Sequence, residues 1–182
     1  MSVNLLLQTE DQPVIWRGPL MSKAIQQFWA ETAWGAVDYL VVDLPPGTSD
    51  ASVTVMQSIP LSGVVMVTSP QDLAGMVVRK AARMALQMGA PILGLVENMS
   101  YVRCTKCGER LDVFGPSQAS ATATFIGAPL LGQLPLDPTL ALCCDTGMIE
   151  SYTSDAFDAV TQQVIRQAQP LAEKDEGSIS KT

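Results

Sequence analysis

Two cysteines separated by two residues, in "CTKCGER", are the first residues in this chain with chemistry to offer. Cys104 and Cys107 are followed by Gly108. That spacing lets two thiolates face one metal, and the glycine relieves the turn. One such pair supplies two ligands, whereas a tetrahedral zinc or a cubane cluster takes four. A second copy of the chain can supply the other two across a two-fold axis. A redox dithiol and a chance pair are the competing readings. A thioredoxin-type pair sits at a strand-to-helix turn, and this one falls in a polar loop, which favours metal. Cys143 and Cys144 are adjacent, a poor arrangement for one ion, and read as small, half-buried residues.

A second candidate is "DYLVVDLPPGTSD". Asp43 ends an apolar run and precedes a Pro-Pro-Gly turn. In an open parallel sheet, ligands gather at the carboxyl ends of the strands. A carboxylate there can hold Mg²⁺ directly or through water, and Gly47 would let a backbone N–H approach a phosphate. Capping of the next turn is the structural alternative. A phosphate loop of the form G-x-x-x-x-G-K-[ST] does not occur: none of the five lysines follows a glycine. A third candidate is Asn98 in "VENMS", whose amide can pair with an adenine edge through one donor and one acceptor, or can cap the following loop.

Positioning these residues requires strands alternating with helices. The "GVVMVTS" and "PILGLVENM" runs read as strands buried on both faces; Tyr39–Val42 is expected to be a third such strand, and "PLLGQLPLD" a fourth strand-like run. Met1–Leu7 also has β character. Helices are expected over the "GPLMSKAIQQFWAETAWG" segment, over Asp50–Ser58, from "SPQD" to Gly89, over Ser117–Ile126 and over Asp155–Ala168. In the long central helix Ser69 is the expected cap, with Leu73, Met76, Val77, Ala81, Met84 and Met88 on one face. The expected fold is α/β, a mostly parallel sheet flanked by helices. Residues 1–170 read as one domain, and 171–182 as a polar, frayed tail.

Composition narrows the chemistry. The chain has 182 residues, 47% of them hydrophobic, a net charge of -7 and no histidine. Its length allows a packed core. An acidic chain is poorly suited to a nucleic-acid backbone, so no nucleic-acid partner is expected. The missing histidine leaves metal binding to Cys, Asp or Glu. No run reaches the ~20 apolar residues that span a bilayer, so no membrane association is expected. Four cysteines with these spacings are not a secreted disulfide framework, and the expected location is the cytoplasm.

Taken in order, "WRGP", "DYLVVDLPPGTSD", "TSPQDLAG", "GLVENMSY", "CTKCG", "FG" and "LGQLPLDP" resemble the Mrp-type ATPases, the iron–sulfur cluster carrier branch of the MinD/ParA-like P-loop proteins. The resemblance covers roughly residues 1–152. It implies a P-loop NTPase-like fold and a homodimer holding a [4Fe–4S] cluster between subunits for transfer to apo iron–sulfur proteins, in company with cluster assembly factors. It implies that Asp43 is the Mg²⁺-associated residue of the second switch, and that Pro45, Pro46 and Gly47 form the turn sensing the γ-phosphate of ATP. It assigns Asn98 to adenine, Pro135, Leu136 and Asp137 to the segment closing over the base, and Cys104 and Cys107 to the cluster. It gives Cys143 and Cys144 no role. The family carries its phosphate loop upstream of the segment with which this chain begins. Met1 is therefore expected to be an internal methionine of a longer ATPase, with weak ATP binding, little hydrolysis and an exposed apolar edge in the present chain. The alternative is a non-enzymatic dimeric module binding zinc or a cluster. A MinD/ParA-like positioning ATPase is disfavoured, since the chain offers neither a basic amphipathic C-terminal helix nor a basic DNA surface.

Overall fold

The computed structural model describes residues 1–9, 13, 16 and 18–168; the tail expected over 171–182 lies outside them. The described residues divide after Pro60 into two units.

The first unit holds a short 3-10 helix, Val3–Leu6, then α1 (Pro19–Glu31) and α2 (Asp50–Ser58). The β character read over Met1–Leu7 gives way to that 3-10 turn. Ser2 caps it by accepting the Asn4 N–H at 3.3 Å, a local hydrogen bond that an unpaired extended segment lacks. Pro19 occupies the first turn of α1, where its missing N–H costs nothing. Ser49 caps α2 by accepting from the Ser52 N–H at 3.2 Å. The two helices are tied by a 2.8 Å hydrogen bond between Ser22 Oγ and Thr54 Oγ1.

Tyr39–Val42, expected as a buried strand, is neither strand nor buried. It is irregular, and Val41 is 89% exposed. Apolar composition gives a segment the tendency to be buried, but a strand exists only where a neighbour takes its N–H and C=O groups. Among the described residues no ladder engages this run.

The second unit is an α/β sheet. Its strands are β1 (Val64–Thr68), β2 (Ile92–Arg103), β3 (Arg110–Leu111) and β4 (Leu130–Pro135). β2 is central: it pairs parallel with β1 and β4, and antiparallel with β3 at its far end. Helices α3 (Asp72–Gln87), α4 (Ala119–Ile126), α5 (Pro138–Asp145) and α6 (Asp155–Gln167) connect or follow the strands. Helix α6 lays Phe157, Val160 and Val164 against the buried Val96, Leu131 and Leu134. Close approach there depends on Gly132, where an added Cβ would lie 2.6 Å from Val160 Cγ2.

Three details depart from the sequence reading. Helix α3 begins at Asp72 with Gln71 as its cap residue, so Ser69 does not cap it. Its buried face is Gly75, Val78, Ala82 and Ala85, with Leu73, Met76 and Val77 exposed. Small residues win that face because they let the helix backbone approach the sheet and α4; Gly89, at φ +74°, ends the helix as expected. Strand β2 also does not stop at Asn98. Between the Glu97–Gln133 and Tyr101–Pro135 pairs, four steps along β2 oppose two along β4. Asn98–Ser100 therefore form a bulge, with Met99 at φ +53°, and the strand continues to Arg103.

Candidate metal centre

Past the bulge, β2 turns back on itself. Val102 pairs with Leu111 and Arg103 with Arg110, making a hairpin whose tip is Cys104–Glu109. The Cys104 N–H donates to the Glu109 carbonyl at 2.9 Å, and the Gly108 N–H donates to the Cys104 carbonyl at 2.8 Å. Gly108 takes φ +75°, a left-handed conformation that closes this turn and that a side chain would strain.

The hairpin brings both thiols together. Cys104 is half-buried, Cys107 is exposed, and neither is in a disulfide. The Cys107 N–H, then that of Lys106, then the Cys107 thiol hydrogen-bond to the Cys104 sulfur and hold its pKa below the ordinary thiol value, against a small opposing effect of burial. Arg103 and Arg110 share the hairpin with the cysteines, with their guanidinium groups over the Tyr101 ring, 5.5 and 4.2 Å from its centroid. The two thiols fit a thiophilic metal or cluster, but they are half of a tetrahedral set. No third Cys, Asp or Glu completes it among the described residues of one chain.

Cys143 and Cys144 lie on α5, a helix the sequence reading did not include, with Cys143 half-buried and Cys144 exposed. Asp137 caps that helix. Its carboxylate accepts from the Thr139 N–H at 2.8 Å and from the Tyr152 hydroxyl at 2.9 Å. The Thr139 N–H is the main reason its pKa lies below the usual carboxylate range; burial opposes this slightly and Tyr152 adds to it. Burial, with Asp137 nearby, pushes Tyr152 up. We expect Asp137→Ala to cost about 1 kcal/mol at neutral pH, as loss of a helix cap does. A carboxylate whose folded pKa is depressed stabilises the fold above its unfolded pKa and loses that contribution as pH falls through its folded pKa. The gap between wild type and variant should therefore narrow in that acid range. Urea denaturation at a series of pH values measures it, and a gap independent of pH would refute the assignment.

Asn98 and Pro135–Asp137 come to the same end of the β2–β4 pair: Tyr101 pairs with Pro135, and the Leu136 N–H donates to the Tyr101 carbonyl at 2.8 Å. Asn98 sits in the bulge, where its Oδ1 accepts the Met99 N–H at 2.8 Å. Asp43, Pro45, Pro46 and Gly47 lie in the first unit, in the irregular segment before α2; Asp43 is exposed and Gly47 turns with φ +78°. The sequence reading missed Glu97, which is completely buried in β2. The available signal was a charged residue inside an otherwise apolar strand, a placement that requires partners.

Comparison with known proteins now adds to this geometry. The family model described as "ParA: NUBPL iron-transfer P-loop NTPase" matches residues 1–169. The chain belongs to this ParA/Mrp-type family of iron–sulfur carrier P-loop NTPases. Among its relatives, the iron–sulfur cluster carrier protein of Clostridium perfringens is 42% identical over 154 residues, 85% of this chain and 54% of the relative. A nucleotide-binding protein of Archaeoglobus fulgidus, solved in complex with ADP, is 43% identical, with a TM-score of 0.69 over 76% of this chain and 57% of that one. The Pyrococcus furiosus cell division ATPase MinD shares the fold at 21% identity, with a TM-score of 0.58 over 81% of this chain and 58% of that one. The chain spans about half the length of the curated relatives it matches. The parallel sheet with flanking helices is thus the P-loop NTPase-like fold of this family. Among the described residues of this family member, no helix is long and apolar enough to cross a membrane.

Proposed function

We propose that this chain carries an iron–sulfur cluster as cargo on the Cys104–Cys107 hairpin. Two copies would contribute two thiolates each to a [4Fe–4S] cluster, which then passes to apo iron–sulfur proteins in the cytoplasm. The observation that carries this reading is the pair of free thiols at the tip of a hairpin closed by the Cys104–Glu109 and Gly108–Cys104 backbone hydrogen bonds, in a chain whose relatives are named for cluster carriage. A dimer follows from the arithmetic of ligands: two per chain, four per cluster.

Residues 1–170 belong, in this reading, to a single P-loop ATPase domain. Asp43 would hold Mg²⁺, Pro45, Pro46 and Gly47 would face the terminal phosphate, and Asn98 with Pro135–Asp137 would face the base. The ADP complex of the Archaeoglobus relative supports a nucleotide site in the family. The 182 residues contain no glycine-rich loop ending in lysine, and such a loop supplies much of the grip on a triphosphate. Weak ATP binding by these residues alone is therefore expected.

The test is anaerobic reconstitution with iron and sulfide, followed by absorption spectroscopy and a solution mass measurement. A broad band at the visible–ultraviolet boundary, accompanying a dimer that dissociates when the cluster is chelated, is the expected result. A colourless protein that instead takes up tetrahedral zinc through the same thiols would replace the carrier reading with that of a metal-binding module.

A further inference from the structure

The cysteine hairpin has a weak stem. β3 is two residues long, both exposed, and makes only two ladder pairs with β2. A stem of that size is marginal in water by itself. Something else must keep its register if the two sulfurs are to stay together.

A polar network rooted in the sheet supplies the anchor. Glu97 is completely buried, and its carboxylate accepts hydrogen bonds from Ser100 Oγ at 2.5 Å, Gln133 Nε2 at 2.9 Å and the Gln118 N–H at 3.2 Å. Gln133 lies opposite Glu97 in the β2–β4 ladder. Its Nε2 also meets Ser117 Oγ at 2.7 Å. The amide nitrogen carries two hydrogens, one directed to Glu97 and one to Ser117, so Oε1 points the other way. Oε1 faces Arg110, accepting from both terminal guanidinium nitrogens at 3.4 Å. The same guanidinium lies over the Tyr101 ring at 4.2 Å, and its Nε donates to Asp112 at 3.0 Å. Arg110 is the β3 residue paired with Arg103, and it immediately follows Glu109, whose carbonyl closes the cysteine loop.

We propose that Gln133 is a positioning residue for the cysteine hairpin, joining the buried Glu97 to Arg110 and so holding Cys104 and Cys107 in a ligating arrangement. The proposal deepens the carrier reading and rests on it. The physical gain is preorganisation. A loop already held in its binding geometry does not pay the ordering cost when metal arrives, and partners that orient ligands are worth roughly 10–100-fold in metal affinity.

Two variants test this. Gln133→Leu removes the bridge, and Arg110→Met releases the hairpin while leaving Glu97 and Gln133 paired. Because Arg110 is exposed, the second variant keeps the test decisive if the first fails to fold. Val78→Ala, on the buried face of α3, serves as a control for general loss of stability. The metal-free chain is examined by amide hydrogen exchange at Cys104 and Gly108, and cobalt(II) affinity is read from the thiolate charge-transfer band. Both hairpin variants should speed exchange at the two amides and weaken cobalt binding about 10-fold, while Val78→Ala changes neither. Unchanged exchange and affinity in the hairpin variants would overturn the proposal, as would an equal loss of affinity in Val78→Ala. If wild type binds no cobalt while both variants still loosen the hairpin, the anchoring role stands and the carrier reading fails.

Discussion

Changing Cys104 and Cys107 together to alanine should abolish cluster loading: no visible–ultraviolet band, and no iron or sulfide retained after desalting. Either single change should have nearly the same effect, because a cluster shared by two chains would then keep two of its four thiolates. The same substitutions should leave the fold almost untouched. Cys107 is exposed and Cys104 half-buried, and changes at such positions usually stay within about 0.5 kcal/mol. Changing Cys143 and Cys144 together to alanine is the matched control, since α5 holds them apart from the hairpin in sequence and in structural role. Iron retained by the hairpin double variant, or lost by the α5 double variant, would move the site away from Cys104 and Cys107.

The second large effect lies in the sheet that supports the hairpin. Gly94→Ala should be strongly destabilising. A Cβ built at Gly94 would run into the Leu131 side chain and lie 2.7 Å from the Pro129 carbonyl oxygen. That oxygen accepts the Leu95 N–H at 2.8 Å, next to the β2–β4 ladder. The side chain can shift, but the carbonyl can move only by breaking the strand pairing. Overpacking of this kind costs about 3 kcal/mol, which for a chain of this size lowers the melting temperature by roughly 10 °C. Adding Leu131→Ala should recover little, because the backbone clash persists and a cavity is added. A Gly94→Ala chain melting within a degree or two of wild type would show that β4 tolerates displacement from β2.

Helix and strand segments with a strong local signal were legible. The helices expected over Asp50–Ser58 and Asp155–Ala168 and the apolar runs of β1 and β4 were set by continuous apolarity or period. The cysteine pair was legible by spacing. Its setting was not: a two-residue strand such as β3 has no pattern long enough to read, and its contacts run from Arg110 to Tyr101 and to the distant Gln133. The α3 face was misread because large apolar residues attract attention, whereas the packed face there is Gly75, Val78, Ala82 and Ala85. The bulge at Asn98–Ser100 was hidden for a similar reason. It follows from the mismatch of β2 with β4, a relation between two segments about 35 residues apart.

The sequence by itself determined the class of fold, the family resemblance and the residue types available for chemistry. With no histidine, metal binding falls to Cys, Asp or Glu, and the one C-x-x-C offers a pair of thiolates. These are properties of composition, spacing and local periodicity, which short-range forces express without help. Only the tertiary structure decided that Tyr39–Val42 stays irregular and exposed, that Glu97 is buried and satisfied, and that the cysteines ride on a short hairpin tied to the sheet through Gln133. Each of those outcomes turns on whether a distant segment supplies a hydrogen-bond partner or a packing surface, and a linear pattern does not encode which segment that will be.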